Sequence, residues 1–271
     1  MIGMNKKLNE LVILVKGGGE MATGVSHRLA SCHFRICMTE VSDPQAVRRE
    51  VAYSEAIFNQ EKEVEGITAK RVELANHISE VWKEGKIPIL IDPEAKVKDS
   101  LKPDVLIDAT LAKKNLGTKI TDAYIVIGLG PGFYAGKDVH VVIETNRGHN
   151  LGRIIKEGEA EPNTGIPGSI AGYTKERVIR APKDGSFKAL KKIGDGVRAN
   201  EKVGMIGNVE VRTRIAGVIR GLLRDETEVW KGMKLGDVDP RGIKTHCYTI
   251  SDKARTISGG VLQAILEYFN G

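Results

Sequence analysis

The run over residues 11–24, Leu-Val-Ile-Leu-Val-Lys-Gly-Gly-Gly-Glu-Met-Ala-Thr-Gly, constrains the fold more than any other stretch of the chain. Five apolar residues lead into three consecutive glycines, and Ala22, Val25 and Leu29 then recur at helical spacing. A strand, a glycine turn and a helix in immediate succession open a βαβ unit. Gly17, Gly19 and Ala22 fill the G-x-G-x-x-G/A places of a dinucleotide fingerprint. Gly17, Gly18 and Gly19 allow close backbone approach to a ligand, and the N–H groups at the helix start make an anion site. Glu20 complicates this reading. It places a carboxylate where a pyrophosphate would lie, and it can itself occupy the positive end of the helix.

Strand and helix signals alternate through the first half. Residues 34–39 read as a strand, 43–57 as a helix with Asp43 as N-cap and Pro44 at its first position, 64–70 as a strand and 74–83 as an amphipathic helix. Further strands are expected at 87–91, 105–109, 124–127 and 139–143. Apolar strands separated by helical patterns imply a parallel sheet covered on both faces. The expectation is an α/β fold: a Rossmann-like parallel-sheet domain over residues 1–175.

Near residue 178 the pattern changes. Helical periodicity stops, and short strands alternate with Gly-Asp and Pro-x-x-Gly turns. Arg180–Phe187 with Ile193–Val197, and Arg212–Ile219 with Val229–Gly232, read as two similar halves offset by about 32 residues. A small β-barrel or sandwich over 176–250 is expected, its halves related by a pseudo-twofold. Residues 251–271 return to helix, with Ser251 or Asp252 as N-cap and Ala254, Ile257, Val261, Leu262, Ile265 and Leu266 in its apolar stripe.

At 271 residues the chain has room for two domains. No apolar run approaches the roughly 18 residues of a membrane span, and the N-terminus lacks a signal-peptide core. Cys32, Cys37 and Cys247 show no C-x-x-C spacing and read as reduced thiols of a cytoplasmic protein, with no metal site. A net charge of +6 with 5% aromatic residues does not suit nucleic-acid binding. It suits a small anionic ligand or an acidic protein partner.

Several residues are candidates for binding. Glu40 ends the second strand about 20 residues after the glycine turn, where an acid can accept hydrogen bonds from a ribose and repel a 2′-phosphate. Gly128, Gly130 and Gly132 form a second glycine cluster after another apolar strand, either a second wall of the same crevice or a simple turn around Pro131. Arg147, His149 and Arg153 fall within seven residues after the next strand, as an anion grip or a solvated loop. Asn163 and Thr164 lie in a rigid Pro-flanked loop that either links domains or closes over a ligand. Arg212, Arg214, Arg220 and Arg224 read as a solvated barrel face, with docking to an acidic partner as the alternative. Cys247 beside His246 reads as a buried structural cysteine rather than a nucleophile. No Tyr-x-x-x-Lys relay, G-x-S-x-G elbow or Walker loop is present, so the catalytic residues stay unknown.

The segments Lys16–Gly24, Met38–Val41, Glu144–Arg153, Pro162–Gly168 and Ile250–Arg255 together resemble the YqeB family, accessory proteins of selenium-dependent molybdenum hydroxylases. The resemblance implies a role in maturing a molybdenum hydroxylase, by handling its pterin cofactor or placing selenium on it. It implies molybdopterin or its cytosine dinucleotide as ligand, and the hydroxylase or its maturation proteins as partners. The second half also resembles a biotinyl/lipoyl-type hammerhead, but its hairpin near 205–209 lacks the lysine that carries the modification. The alternative is an NAD-dependent oxidoreductase with Glu40 on the ribose.

Overall fold

The computed structural model of the protein describes residues 6–270, so the outer ends of the expected domains, residues 1–5 and 271, lie outside the described residues. The chain divides into two units. The first comprises the described parts of Met1–Pro44, Ala52–Asn163 and Ile250–Gly271; the second comprises Gln45–Val51 and Thr164–Thr249.

In the first unit, the unbroken aliphatic run makes Val12–Lys16 a buried strand, β1. Gly17 turns the chain at φ +103°, and a Cβ there would also lie 3.1 Å from the Ala109 carbonyl oxygen. After Gly19 come α1 (Glu20–Ser31) and β2 (Arg35–Glu40). Then follow α2 (Ala56–Asn59), β3 (Glu61–Val64), β4 (Ile67–Arg71), α3 (Ile78–Lys83), β5 (Ile87–Ile91), α4 (Lys98–Leu101), β6 (Val105–Asp108) and β7 (Ile125–Leu129). β8 (Tyr134–Ala135), β9 (Val141–Ile143), β10 (Ile154–Ile155) and β11 (Gly158–Glu159) complete the strands, and α5 (Asp252–Phe269) belongs to this unit. β8 and β11 pair separately.

One nine-stranded sheet runs in the order β10-β9-β7-β6-β1-β2-β5-β4-β3. Its two edge strands, β10 and β3, are antiparallel to their neighbours. The strands between them are parallel. Leu14, Cys37, Leu106 and Val126 pack with Ile78 and Val81 of α3 in one core cluster. Ile13, Val15, Ile36 and Ile107, alternating with them, are fully or almost fully buried on the opposite face.

Helices α1 and α5 pack tightly together. A Cβ on Gly24 would lie 2.8 Å from that of Ala254, so glycine permits the close crossing. One turn further on, Arg28 Nε donates to Ser258 Oγ at 2.8 Å, and the arginine also reaches the Arg255 carbonyl at 3.1 Å. These successive contacts mean that the helices run in the same direction, with their N-termini side by side. Ser251 is the N-cap of α5, its Oγ accepting from Ala254 N–H.

The second unit holds β12 (Val178–Arg180), β13 (Gly185–Ala189), β14 (Gly196–Val197), β15 (Lys202–Ile206), β16 (Val209–Arg212), β17 (Gly217–Leu222), β18 (Thr227–Val229) and β19 (Lys234–Asp239). They form two four-stranded antiparallel sheets, β12-β19-β17-β14 and β16-β15-β13-β18, around a core that includes Phe187, Val203, Ile219 and Leu235. The segment Gln45–Val51 is part of this unit: Val47 packs on the core, and its carbonyl accepts from Leu222 N–H at 2.8 Å.

The expected pairing of a Rossmann-like parallel-sheet domain with a small biotinyl/lipoyl-like barrel is therefore corrected. The large sheet is mixed, and several separate antiparallel sheets accompany it. Two local causes were missed. Glu65 and Gly66, at φ +45° and +83°, make the two-residue turn of the β3–β4 hairpin, so the stretch read as one strand is two. At the other edge, β10 returns antiparallel on β9. The helix expected over 43–57 is also absent; that stretch holds two 3-10 turns and the start of α2, because Val47 pairs with Leu222 instead of continuing a helix.

Arg220 does not lie on a solvated face. A bulge between Ile219 and Gly221 turns it inward, where it meets Asp237 at 3.1 Å and Asp239 at 3.7 Å. Arg177 joins Asp237 at 2.8 Å. Arg212 and Arg214 are exposed. Cys247 is buried, its thiol donating to the Ile219 carbonyl. Burial pushes that thiol up, against the lowering charges of Arg48 and Arg220. No helix among the described residues is long and apolar enough to cross a membrane.

Candidate anion site at the carboxyl edge of the sheet

Neighbouring strands β2, β1, β6, β7 and β9 end at one edge, and most of the candidate residues lie at their ends or in the loops that follow. The glycine turn after β1 and the one after β7 lie two strands apart, roughly 10 Å.

In the first turn Gly17 N–H donates to the Thr39 carbonyl at 2.8 Å, and Gly18 N–H donates to Glu40 Oε2 at 2.7 Å. Glu40 Oε1 accepts from Val41 N–H at 2.8 Å. Both oxygens of the expected ribose acid thus brace its own turn. Burial raises the Glu40 carboxyl above its ordinary range, and these two hydrogen bonds offset the rise only in part. The first intrahelical bond of α1 runs from Thr23 N–H to the Gly19 carbonyl. The N–H groups ahead of it are the ones a helix start leaves without an intrahelical acceptor. Gly19 has no side chain to cap them, and a Cβ on it would meet nothing within 4 Å. Glu20 is half-buried in the first turn of the same helix.

The second turn is filled by its own neighbours. A Cβ on Gly128 would lie 2.6 Å from the Phe133 ring, Gly130 packs on Thr145, and Gly132 lies against the Lys113–Lys114 backbone. It shares the edge with the first turn but leaves less room for a ligand. Lys113 and Lys114 are exposed beside it and make the edge more positive.

After β9, Glu144 accepts backbone N–H groups from Thr145 at 2.7 Å, Asn146 at 2.6 Å and Glu161 at 2.7 Å. Arg147 forms a two-pronged pair with Asp252, at 2.8 and 3.0 Å, which ties this loop to the start of α5. His149 and Arg153 are exposed further along the loop. Asn163 is exposed at the end of the first unit, and Thr164 belongs to the second, where its Oγ1 accepts from Ile166 N–H.

Three residues absent from the sequence-based candidates belong to this edge. Lys16, 4% exposed at the end of β1, reaches the Leu116 carbonyl at 3.3 Å, Thr118 Oγ1 at 3.4 Å and Asp108 Oδ2 at 3.6 Å. Asp108, at the end of β6, also accepts from Thr118 Oγ1 at 2.6 Å and Thr110 Oγ1 at 2.7 Å, so the pair pins the loop after β6. A lysine closing an apolar central strand was the visible signal. The third is Lys253, in the first turn of α5. Its ammonium feels Arg147, Glu20, Glu144 and Asp252, and burial holds it below the usual lysine range, with Arg147 adding to the effect. Its place in the Ser-Asp-Lys-Ala-Arg run was the only hint. Among the described residues no group of three or more His, Cys, Asp or Glu side chains is placed to hold a metal ion.

Fold and edge together define an α/β first unit that sets two helix N-termini side by side, with Arg147 and Lys253 at the start of the second helix. Over 255 residues the chain is 45% identical to YqeB, an uncharacterized protein of Escherichia coli (strain K12). The match covers 94% of this chain and 47% of YqeB, so the chain spans about half the length of that relative. No protein-family model matches. Among solved structures, the product-bound ectoine utilization protein EutE (DoeB) of Ruegeria pomeroyi is 14% identical with a TM-score of 0.26, covering 84% of this chain and 85% of its own. An aspartoacylase family protein of Mesorhizobium loti is 12% identical, also with a TM-score of 0.26 and 84% of each chain covered. At that TM-score the likeness transfers no chemistry. None of these relatives bears on molybdenum or selenium, so those two expectations rest on the resemblance alone.

Proposed function

We propose that the first unit binds a phosphate-bearing anionic small molecule at the carboxyl edge of its sheet. The chain would hold that molecule, or hand it on, during maturation of a molybdenum hydroxylase. The observation that carries the ligand class is the pair of parallel helix starts, α1 and α5, locked together by Gly24 on Ala254, with open space at Gly19. Two positive helix ends on one side of a sheet favour an anion more than either end alone.

The residues fit a nucleotide form of molybdopterin in one respect that matters. Glu40 and Glu144 are already answered by backbone N–H groups, and Asp252 by Arg147, so these three do not face an incoming phosphate uncompensated. The amides of the first α1 turn and the side chain of Arg147 would hold the phosphate. The maturation role rests on the family resemblance, and the hydroxylase or its maturation proteins would be the partners.

Titration of one preparation with molybdopterin cytosine dinucleotide and with NADH tests this reading. Wild type should saturate with the first. Gly19→Asp should bind it at least about tenfold more weakly while keeping its circular dichroism and melting temperature, because the new side chain meets open space and can cap α1. Saturation with NADH in its place would favour the oxidoreductase reading, and saturation with neither would defeat the binding reading.

A further inference from the structure

Lys253 is out of place by ordinary electrostatics. It sits in the first turn of α5, where the helix dipole disfavours a cation, and the Arg147 guanidinium acts on it with the same sign. Glu20 on α1, Glu144 after β9 and Asp252 on α5 attract it, yet among the described residues it forms no ion pair. Two of these acids already have partners: Glu144 holds three backbone N–H groups, and Asp252 holds Arg147. A second observation lies against the glycine turn. Ser54, whose N–H donates to the Gly18 carbonyl, is fully buried, and its hydroxyl has no hydrogen-bond partner. A buried hydroxyl without a partner is the kind of group that a ligand or an ordered water completes.

We propose that Lys253 is a ligand-contacting amine of this edge, its ammonium pairing with a phosphate-like dianion held between the starts of α1 and α5. This rests on the binding reading above and adds to it the residue that supplies the charge. A dianion at that place would answer the ammonium and Arg147 together and would complement both helix ends. It would also raise the lysine back towards its ordinary range, so that binding takes up protons at a pH where part of the free amine is neutral.

The test uses the full chain and inorganic pyrophosphate as probe, with calorimetric titration from pH 6.5 to pH 9.5. Lys253→Met should weaken pyrophosphate binding on the order of tenfold, and Lys253→Arg should restore most of it. In wild type the affinity should fall as pH rises through the depressed range of Lys253, and that fall should vanish in Lys253→Met. A trace amine-acylating reagent followed by peptide mass spectrometry gives a readout independent of affinity. Lys253 should be labelled ahead of the exposed lysines at pH 8 and be protected by pyrophosphate. Equal affinity in wild type and Lys253→Met, or labelling that pyrophosphate leaves unchanged, overturns the inference. If Gly19→Asp still abolishes nucleotide binding in that case, the binding reading survives it. Failure of wild type to bind either pyrophosphate or nucleotide overturns both.

Discussion

Glu40 and Glu144 do similar work at two strand ends: each spends both carboxylate oxygens on backbone N–H groups of the loops beside it. The place of Glu40 at the end of the second strand is readable from the chain. Its partner is not, because Gly18 lies 22 residues away and is brought near by the pairing of β1 with β2. Lys253 was illegible for a similar reason, since what singles it out is the company of Glu20, Glu144 and Arg147 from distant segments. In the second unit Arg220 was misread because a bulge reverses the direction that strand alternation gives. There, burial pushes the Asp237 carboxyl up, but the charges of Lys234, Arg220, Arg177 and Arg48 outweigh it and hold it below its ordinary 3.8. Asp237→Asn removes the carboxylate that two buried guanidiniums share, leaving Arg220 only the longer contact to Asp239, and should cost about 3–5 kcal/mol in urea denaturation at pH 7. A carboxyl depressed in the folded state stabilises above its unfolded value and loses that contribution as pH falls through its folded one. The gap between wild type and Asp237→Asn should therefore stay constant from pH 8 to pH 5 and narrow only below about pH 4.

At the scale of elements, the first strand–turn–helix and the last helix are the parts that local pattern specifies best. The apolar run, the glycines and the Ser251 cap are each satisfied within a few residues. The β3–β4 hairpin was hidden because Glu65-Gly66 is not a common turn pair and the flanking strands are short. The crossing of α1 and α5 depends on Gly24, which in sequence looks only like a weak helix residue. Gly24→Val should separate the helices and lower stability by about 1–3 kcal/mol. Ligand affinity should fall with it, because the two helix starts would no longer sit together. Thermal melting with and without ligand measures both, and an unchanged ligand-induced rise in Tm would sever the link between crossing and binding.

For the whole molecule, the division into units does not follow the order of the chain. Residues 45–51 leave the first unit to complete the second, and α5 returns to the first. No local signal marks such an exchange, since Val47 reads as one more apolar residue until Leu222 is placed against it. Arg48 and Arg49 come with the segment: Arg48 donates to the His246 carbonyl at 2.7 Å and Arg49 to that of Leu222 at 2.8 Å. A fragment of residues 164–249 should therefore fold poorly alone and gain cooperative melting when 45–51 is fused to it. Equal melting of the two fragments would show the segment to be dispensable.

The parallel contact of α1 with α5 joins residues as far apart as Arg28 and Ser258. While the protein is being synthesised, the glycine turn emerges early, but its helical neighbour does not exist until some 230 further residues have been added. A chain stalled anywhere before α5 carries the fingerprint and lacks the site. If this edge binds a ligand as proposed, only chains translated through α5 can complete the site.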